Sequence, residues 1–346
     1  MAYTNINKCT DFFNTALYTG NGSTQSITGV GHQSDFLWIK ARNDTRNYQL
    51  QDSVRNSFDN IINCDAEGGQ GTFTDGVTAV GSDGFDVGAR AALNTNNDSL
   101  VAWSWKGGTT SGITTNGSTT ITPSAYSFNQ TSGFSCVQYT GNLTAGAKVA
   151  HGLGQKPDLI IIKRLDSDTT WIVYTSTLGA TKYLNLNETD TVQTNTNRFN
   201  DTEPDDVNFS LGTTTYVNAN GSEHVAYCFA AKAGYSRMLT WSGGAEPRFL
   251  YCGFKPKFFF GKSYNGTGES WILYDDKREG YNPQNDRLAA NHTGVEGNET
   301  NLDFVSNGIV LRDTANGHLN YSGYSYVAFA IGQTIVGSND VPATAR

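Results

Sequence analysis

Charge is scarce in this chain. Asp, Glu, Lys and Arg make up 16% of its 346 residues, where globular proteins usually carry ~25%. The 24 basic residues form no run, and 32 acidic ones leave a net charge of −8. Broad attraction to nucleic-acid phosphates or anionic membranes is therefore excluded. Long apolar stretches are also missing; a membrane-spanning helix needs about 18 such residues in a row. Met1 to Thr10 holds no basic stretch followed by an apolar one, so no secretory signal is expected. The cysteines are few and odd in number, at positions 9, 64, 136, 228 and 252, with no C-x-x-C pair. Free thiols of a reducing cytoplasm are expected instead of a disulfide framework. His32, His151, His224, His292 and His318 show no zinc-binding spacing. There is no Gly-x-Ser-x-Gly elbow. Asp166-Ser-Asp168 is only a weak start on a calcium loop. No metal and no cofactor is expected.

In place of charge stand 41 Thr, 38 Gly and 33 Asn, which favour strands and turns over helices. Aromatics at 12% supply a core. The main feature is repetition. Gly31–Lys40, Gly154–Lys163 and Gly253–Lys262 align, each with nine residues from Gly to Lys. Upstream stand Tyr18-Thr-Gly20, Tyr139-Thr-Gly141 and Trp241-Ser-Gly243; downstream stand Tyr48, Trp171 and Trp271. A second signature closes each copy: Asn94, Asn218 and Asn320 precede Ala102, Ala226 and Ala328 by eight residues. The two signatures lie 63, 64 and 67 residues apart, a register that chance does not keep three times.

The expected organisation is a first β module over 1–107, a Thr/Ser/Gly-rich linker or weak added hairpin over 108–131, modules over 132–233 and 234–333, and a tail over 334–346. Asp158 to Lys163 is an unbroken apolar run, as in a strand buried on both faces. Asn-Gly and Asp-Gly pairs mark hairpin turns. The fold class is all-β, as three tandem modules of β-sandwich or jelly-roll type. The alternative is one closed β fold with internal pseudo-threefold symmetry.

Candidate chemistry is sparse. Gly261-Lys-Ser263 lacks the spacing of a P-loop and reads as a strand. Lys40, Lys163 and Lys262 recur at one position. They serve as anion or glycan contacts, or more simply as strand-end lysines with wet ammonium groups. Asp205-Asp206 and Asp275-Asp276 are adjacent acids that a strand would turn to opposite faces, poor geometry for glycoside hydrolysis. Trp171 and Trp271 are expected inside the sandwich. Tyr281 and Tyr324, beside polar loops, are candidates for stacking on sugar rings. Weak binding candidates are therefore Tyr281, Tyr324, Lys163 and Lys262, with no catalytic residue.

Phe13–Gly31 followed by Asp35–Lys40 resembles the opening of a module repeated in structural proteins of tailed bacteriophages, especially marine and cyanobacterial ones. Ala150–Lys163, Leu178–Leu184, Phe199–Pro204 and Tyr227–Ala230 continue the likeness. Val101–Lys106 is similar to the usual ending of the first module. The resemblance covers nearly the whole chain. It implies a non-enzymatic virion surface protein of tail-fibre type, made in the host cytoplasm. Its implied partners are other virion proteins and a host-surface glycan or receptor, with no nucleic acid and no membrane insertion. It also implies a homo-oligomer, with a trimer favoured, while three modules in one chain equally allow a monomer that mimics a trimer. Long fibres carry an adaptor and a shaft, whereas here the first module starts within a dozen residues. A compact knob or a head or tail decoration protein is the alternative role, and a polysaccharide depolymerase a remoter one.

Overall fold

Alternating and unbroken apolar runs become strands throughout the computed structural model, which describes residues 4–312 and 318–336. The first stretch holds β1 (Phe13–Thr19), β2 (Gln25–Thr28), β3 (Phe36–Ala41), β4 (Gln49–Asp52), β5 (Asn60–Ile61), β6 (Gly71–Thr72), β7 (Val77–Gly81), β8 (Gly84–Val87) and β9 (Ser99–Trp105). The second holds β10 (Ala125–Asn129), β11 (Phe134–Thr140), β12 (Ala147–Ala150), β13 (Leu159–Arg164), β14 (Ile172–Thr175), β15 (Lys182–Asn185), β16 (Gln193–Thr194), β17 (Asn208–Leu211) and β18 (Glu223–Phe229). The third holds β19 (Ser236–Ser242), β20 (Arg248–Tyr251), β21 (Phe254–Ser263), β22 (Ile272–Asp275), β23 (Gln284–Ala289), β24 (Gly297–Val305), β25 (Gly308–Leu311) and β26 (Ser325–Thr334). Among the described residues helices are single turns, as expected where Thr, Asn and Gly dominate. The chain is all-β.

One strand order occurs in each stretch: β1-β9-β3-β4, β11-β18-β13-β14 and β19-β26-β21-β22, all antiparallel. The signatures coincide with matching registers. Lys40 stands opposite Val101, Lys163 opposite Val225 and Lys262 opposite Val327.

The central strands of these sheets are buried on both sides, and that explains the unbroken apolar runs. Ile160 and Ile162 face a core of their own stretch with Val149 and Phe209. Leu159 and Ile161 face the other way, into a cluster to which all three stretches contribute. There the Phe36 and Tyr227 rings stack at 4.2 Å, Phe13 meets Phe258 at 5.3 Å, and Phe229 meets Phe329 at 5.4 Å. Aromatic pairs of this kind contribute beyond their buried area. Trp171 and Trp271 are fully enclosed, as expected, and donate Nε1–H to the carbonyls of Asn63 and Asn185.

The Asn signature has a mechanical explanation. Asn218 Oδ1 accepts from the Asn142 amide (2.8 Å), and its Nδ2 donates to Gly212 O (2.8 Å) and Thr144 O (3.1 Å). Asn94 accepts from Asn21 and donates to Gly88, while Asn320 accepts from Gly244 and donates to Glu246. Each amide ties the end of one strand to the turn before another. The paired glycine must be bare: a Cβ on Gly141 would lie 2.4 Å from Ala219 O. Asn218→Ala strands buried amide and carbonyl groups. It is expected to lower stability by about 2 kcal/mol, read from a urea midpoint.

The expected linker is partly structured. Within 108–131, β10 pairs with β11 from Ala125↔Gln138 to Asn129↔Phe134 and extends the sheet. Thr, Ser and Pro read as a loop, but the open edge of β11 supplies backbone partners. Of the expected tail, residues 337–346 lie outside the described residues. Gly261, Lys262 and Ser263 belong to strand β21, as their apolar surroundings required.

Candidate functional site

The recurring lysines are interior, which corrects the expectation of wet ammonium groups and removes Lys163 and Lys262 as surface contacts. All three are fully buried. Lys163 Nζ donates to the carbonyls of Glu67 (2.8 Å) and Thr169 (2.7 Å) and to Thr169 Oγ1 (3.0 Å). Lys262 Nζ donates to Glu188 O (2.7 Å) and lies 3.9 Å from Asp190. Lys40 Nζ donates to Ala41 O and Asp44 O. Carbonyl oxygens replace water here, so the charge can leave solvent without an anionic ligand. Burial pushes all three lysines down to about 8. Lys163 and Lys262 thereby bind the second stretch to the first and the third to the second. Arg42 ties the first to the third, reaching Glu296 (2.6 Å) and Asp286 (3.0 Å).

Asp–Arg pairs fill the same places. Asp52 accepts from Arg55 Nε (2.7 Å) and from the Tyr227 hydroxyl (2.7 Å), all three groups buried. Asp275 accepts from Arg278 Nε (2.6 Å) and Trp103 Nε1 (3.0 Å). The corresponding set, where the second stretch meets the third, is apolar or neutral: Thr175, Leu178 and Phe329. Register aligns Trp103, Tyr227 and Phe329, so polar partners occur together and are absent together.

The acidic doublets offer no pair of free carboxylates. Asp275 is bound to Arg278 and Asp276 to Lys257 (2.7 Å). Asp205 caps the turn amides of Val207 and Asn208. Among the described residues no group of three His, Cys, Asp or Glu could hold a metal, and no helix is long and apolar enough to cross a membrane. The five thiols are unpaired and buried, as expected of free cysteines.

The remaining two candidates lie apart. Tyr281 is 67% exposed on the loop after β22. Tyr324 is half-buried, 5.3 Å from the Tyr321 ring and packed on the third core. The exposed chemistry that does converge lies elsewhere, along β19 and β20. These strands are the two ends of one eight-stranded sheet, and a groove of about 370 Å³ runs between them. Phe249 and Tyr251 are each 50% exposed there, and the Arg237 guanidinium lies 5.5 Å from the Tyr251 ring centroid. Among the described residues neither Arg237 nor Arg248 forms an ion pair. The other described arginines pair with carboxylates, apart from Arg198, which lies against Tyr183 and Tyr216.

Residues 8–332 match the family model described as Domain of unknown function (DUF7483). The chain belongs to this family. No curated protein and no solved structure matches it. The groove of this DUF7483 chain was not legible in its residues alone, although a signal was there. Register aligns Phe249 and Tyr251 with Lys148 and Ala150 and with Ser26 and Thr28, so only the third stretch places aromatics at these two points.

Proposed function

We propose that this chain is a non-enzymatic surface protein of a tailed-phage particle, acting by binding. Its three stretches are one module repeated, set as sectors around a shared core. The repeated strand order and matched registers support that organisation. One contrast carries the binding function. Asp275 and the recurring lysines are locked in a buried ion pair and carbonyl cages, whereas arginines without an ion pair among the described residues and half-exposed aromatics gather at one groove. Guanidinium groups beside aromatic rings suit recognition more than turnover. Two strand edges border the groove, which favours contact with another protein of the particle there. Host attachment, by glycan or receptor, would then use other loops, such as the one bearing Tyr281. An antibody to the chain, applied to purified particles of the phage that encodes it, should decorate them at one location. Particles that carry none of the protein would overturn the proposal.

A further inference from the structure

We propose that the groove between β19 and β20 is an acceptor for an extended, carboxylate-bearing strand of another protein chain. The second stretch shows how such a gap is filled. There Ile121 donates its amide to Lys148 O and accepts from Ala150, on β12. A few residues on, Ser124 donates to Gln138 O, and β10 then pairs along β11. One passing segment thus joins the edges of β11 and β12. It brings Ile121 into the second core, with Tyr126 packed against it. In the first stretch a side chain spans the corresponding gap, as Asn14 Nδ2 donates to Gly29 O and Val30 O.

In the third stretch neither device is present among the described residues. β19 takes the place of β11, with Met238 opposite Phe329 as Cys136 is opposite Tyr227. β20 takes the place of β12, with Leu250 opposite Ile309 as Val149 is opposite Phe209. Only residues 230–235 connect β18 to β19, too few to supply a strand. Among the described residues both edges therefore keep unpaired backbone donors and acceptors, the template for strand addition.

Charge selects the occupant. In the filled gap Phe128 stands opposite Ser135, and register aligns Ser135 with Arg237. An occupant in the same register places the Phe128 position against Arg237, where a carboxylate completes an ion pair. The next residue on that face, at the Tyr126 position, lies over Leu239 and calls for an apolar side chain.

The probe is a labelled peptide with the sequence of Thr119–Gln130, made with and without Phe128→Glu and titrated into the intact chain. The substituted peptide should bind about fivefold more tightly. Arg237→Ser should erase that difference and leave the parent peptide's affinity unchanged. Hydrogen exchange should show protection at the amides of Arg237–Trp241. Binding of neither peptide at millimolar concentration would overturn the proposal. So would equal affinities, or binding of polygalacturonate alone, which would make the groove a saccharide site. None of these failures bears on particle location, which the antibody experiment tests separately.

Discussion

Arg55→Leu is expected to lower stability by about 3–5 kcal/mol, because it leaves the Asp52 carboxylate buried without its cation. Arg55 also donates to Leu50 O (3.0 Å) and to the Tyr227 hydroxyl (3.2 Å), and both hydrogen bonds are lost with it. The chain itself shows what would offset the loss. At the equivalent junction it uses Thr175, Leu178 and Phe329 with no buried charge. The triple change Asp52→Thr, Arg55→Leu and Tyr227→Phe transplants that solution. It removes the carboxylate, the guanidinium and the hydroxyl together, and apolar replacements of buried ion pairs are often neutral. The triple variant is therefore expected to recover most of the stability that the single variant loses. Urea midpoints of the wild type, the single and the triple variant test this. A triple variant as unstable as Arg55→Leu would mean that Asp52 and Arg55 are held by more than each other.

Much of this architecture was legible in the residues. The Gly-to-Lys and Asn-to-Ala spacings mark two strands that pair, since Ile39 faces Ala102, Ile162 faces Ala226 and Gly261 faces Ala328. Apolar runs without alternation signalled two-sided burial, and Ile160 and Ile161 enter different cores. What was not legible depends on neighbours far away in the chain. A lysine at a strand end reads as solvated. Glu67, 96 residues from Lys163, provides the carbonyl that makes burial tolerable. Arg-Phe-Leu-Tyr at 248–251 reads as an ordinary amphipathic strand. Its outer side chains stand exposed because no segment among the described residues fills the gap that β10 and Ile121 fill elsewhere. For the converse reason 125–129 was legible only as a linker or weak hairpin, since its partner edge, more than its composition, makes it a strand.

Lys163→Met should cost about 2–4 kcal/mol at neutral pH, since the Thr169 carbonyl and hydroxyl lose the ammonium donor inside the protein and the Glu67 carbonyl keeps only the Thr169 amide. The cost should also depend on pH, with a definite sign. In the folded chain burial holds Lys163 down to about 8, whereas an unfolded lysine titrates near ~10.4. Between these values the unfolded state binds more protons at this site, so its contribution to wild-type stability rises with pH. Methionine does not titrate, so the wild-type advantage over the variant should widen from about pH 8 towards ~10.4. The buried thiols act oppositely. Burial pushes them up, so unfolded cysteines ionise first and alkaline pH weakens the fold. That effect is common to both proteins and cancels in their difference. Paired denaturation curves across this range isolate the lysine. A pH-independent difference would mean that the carbonyl cage holds the ammonium as well as water does.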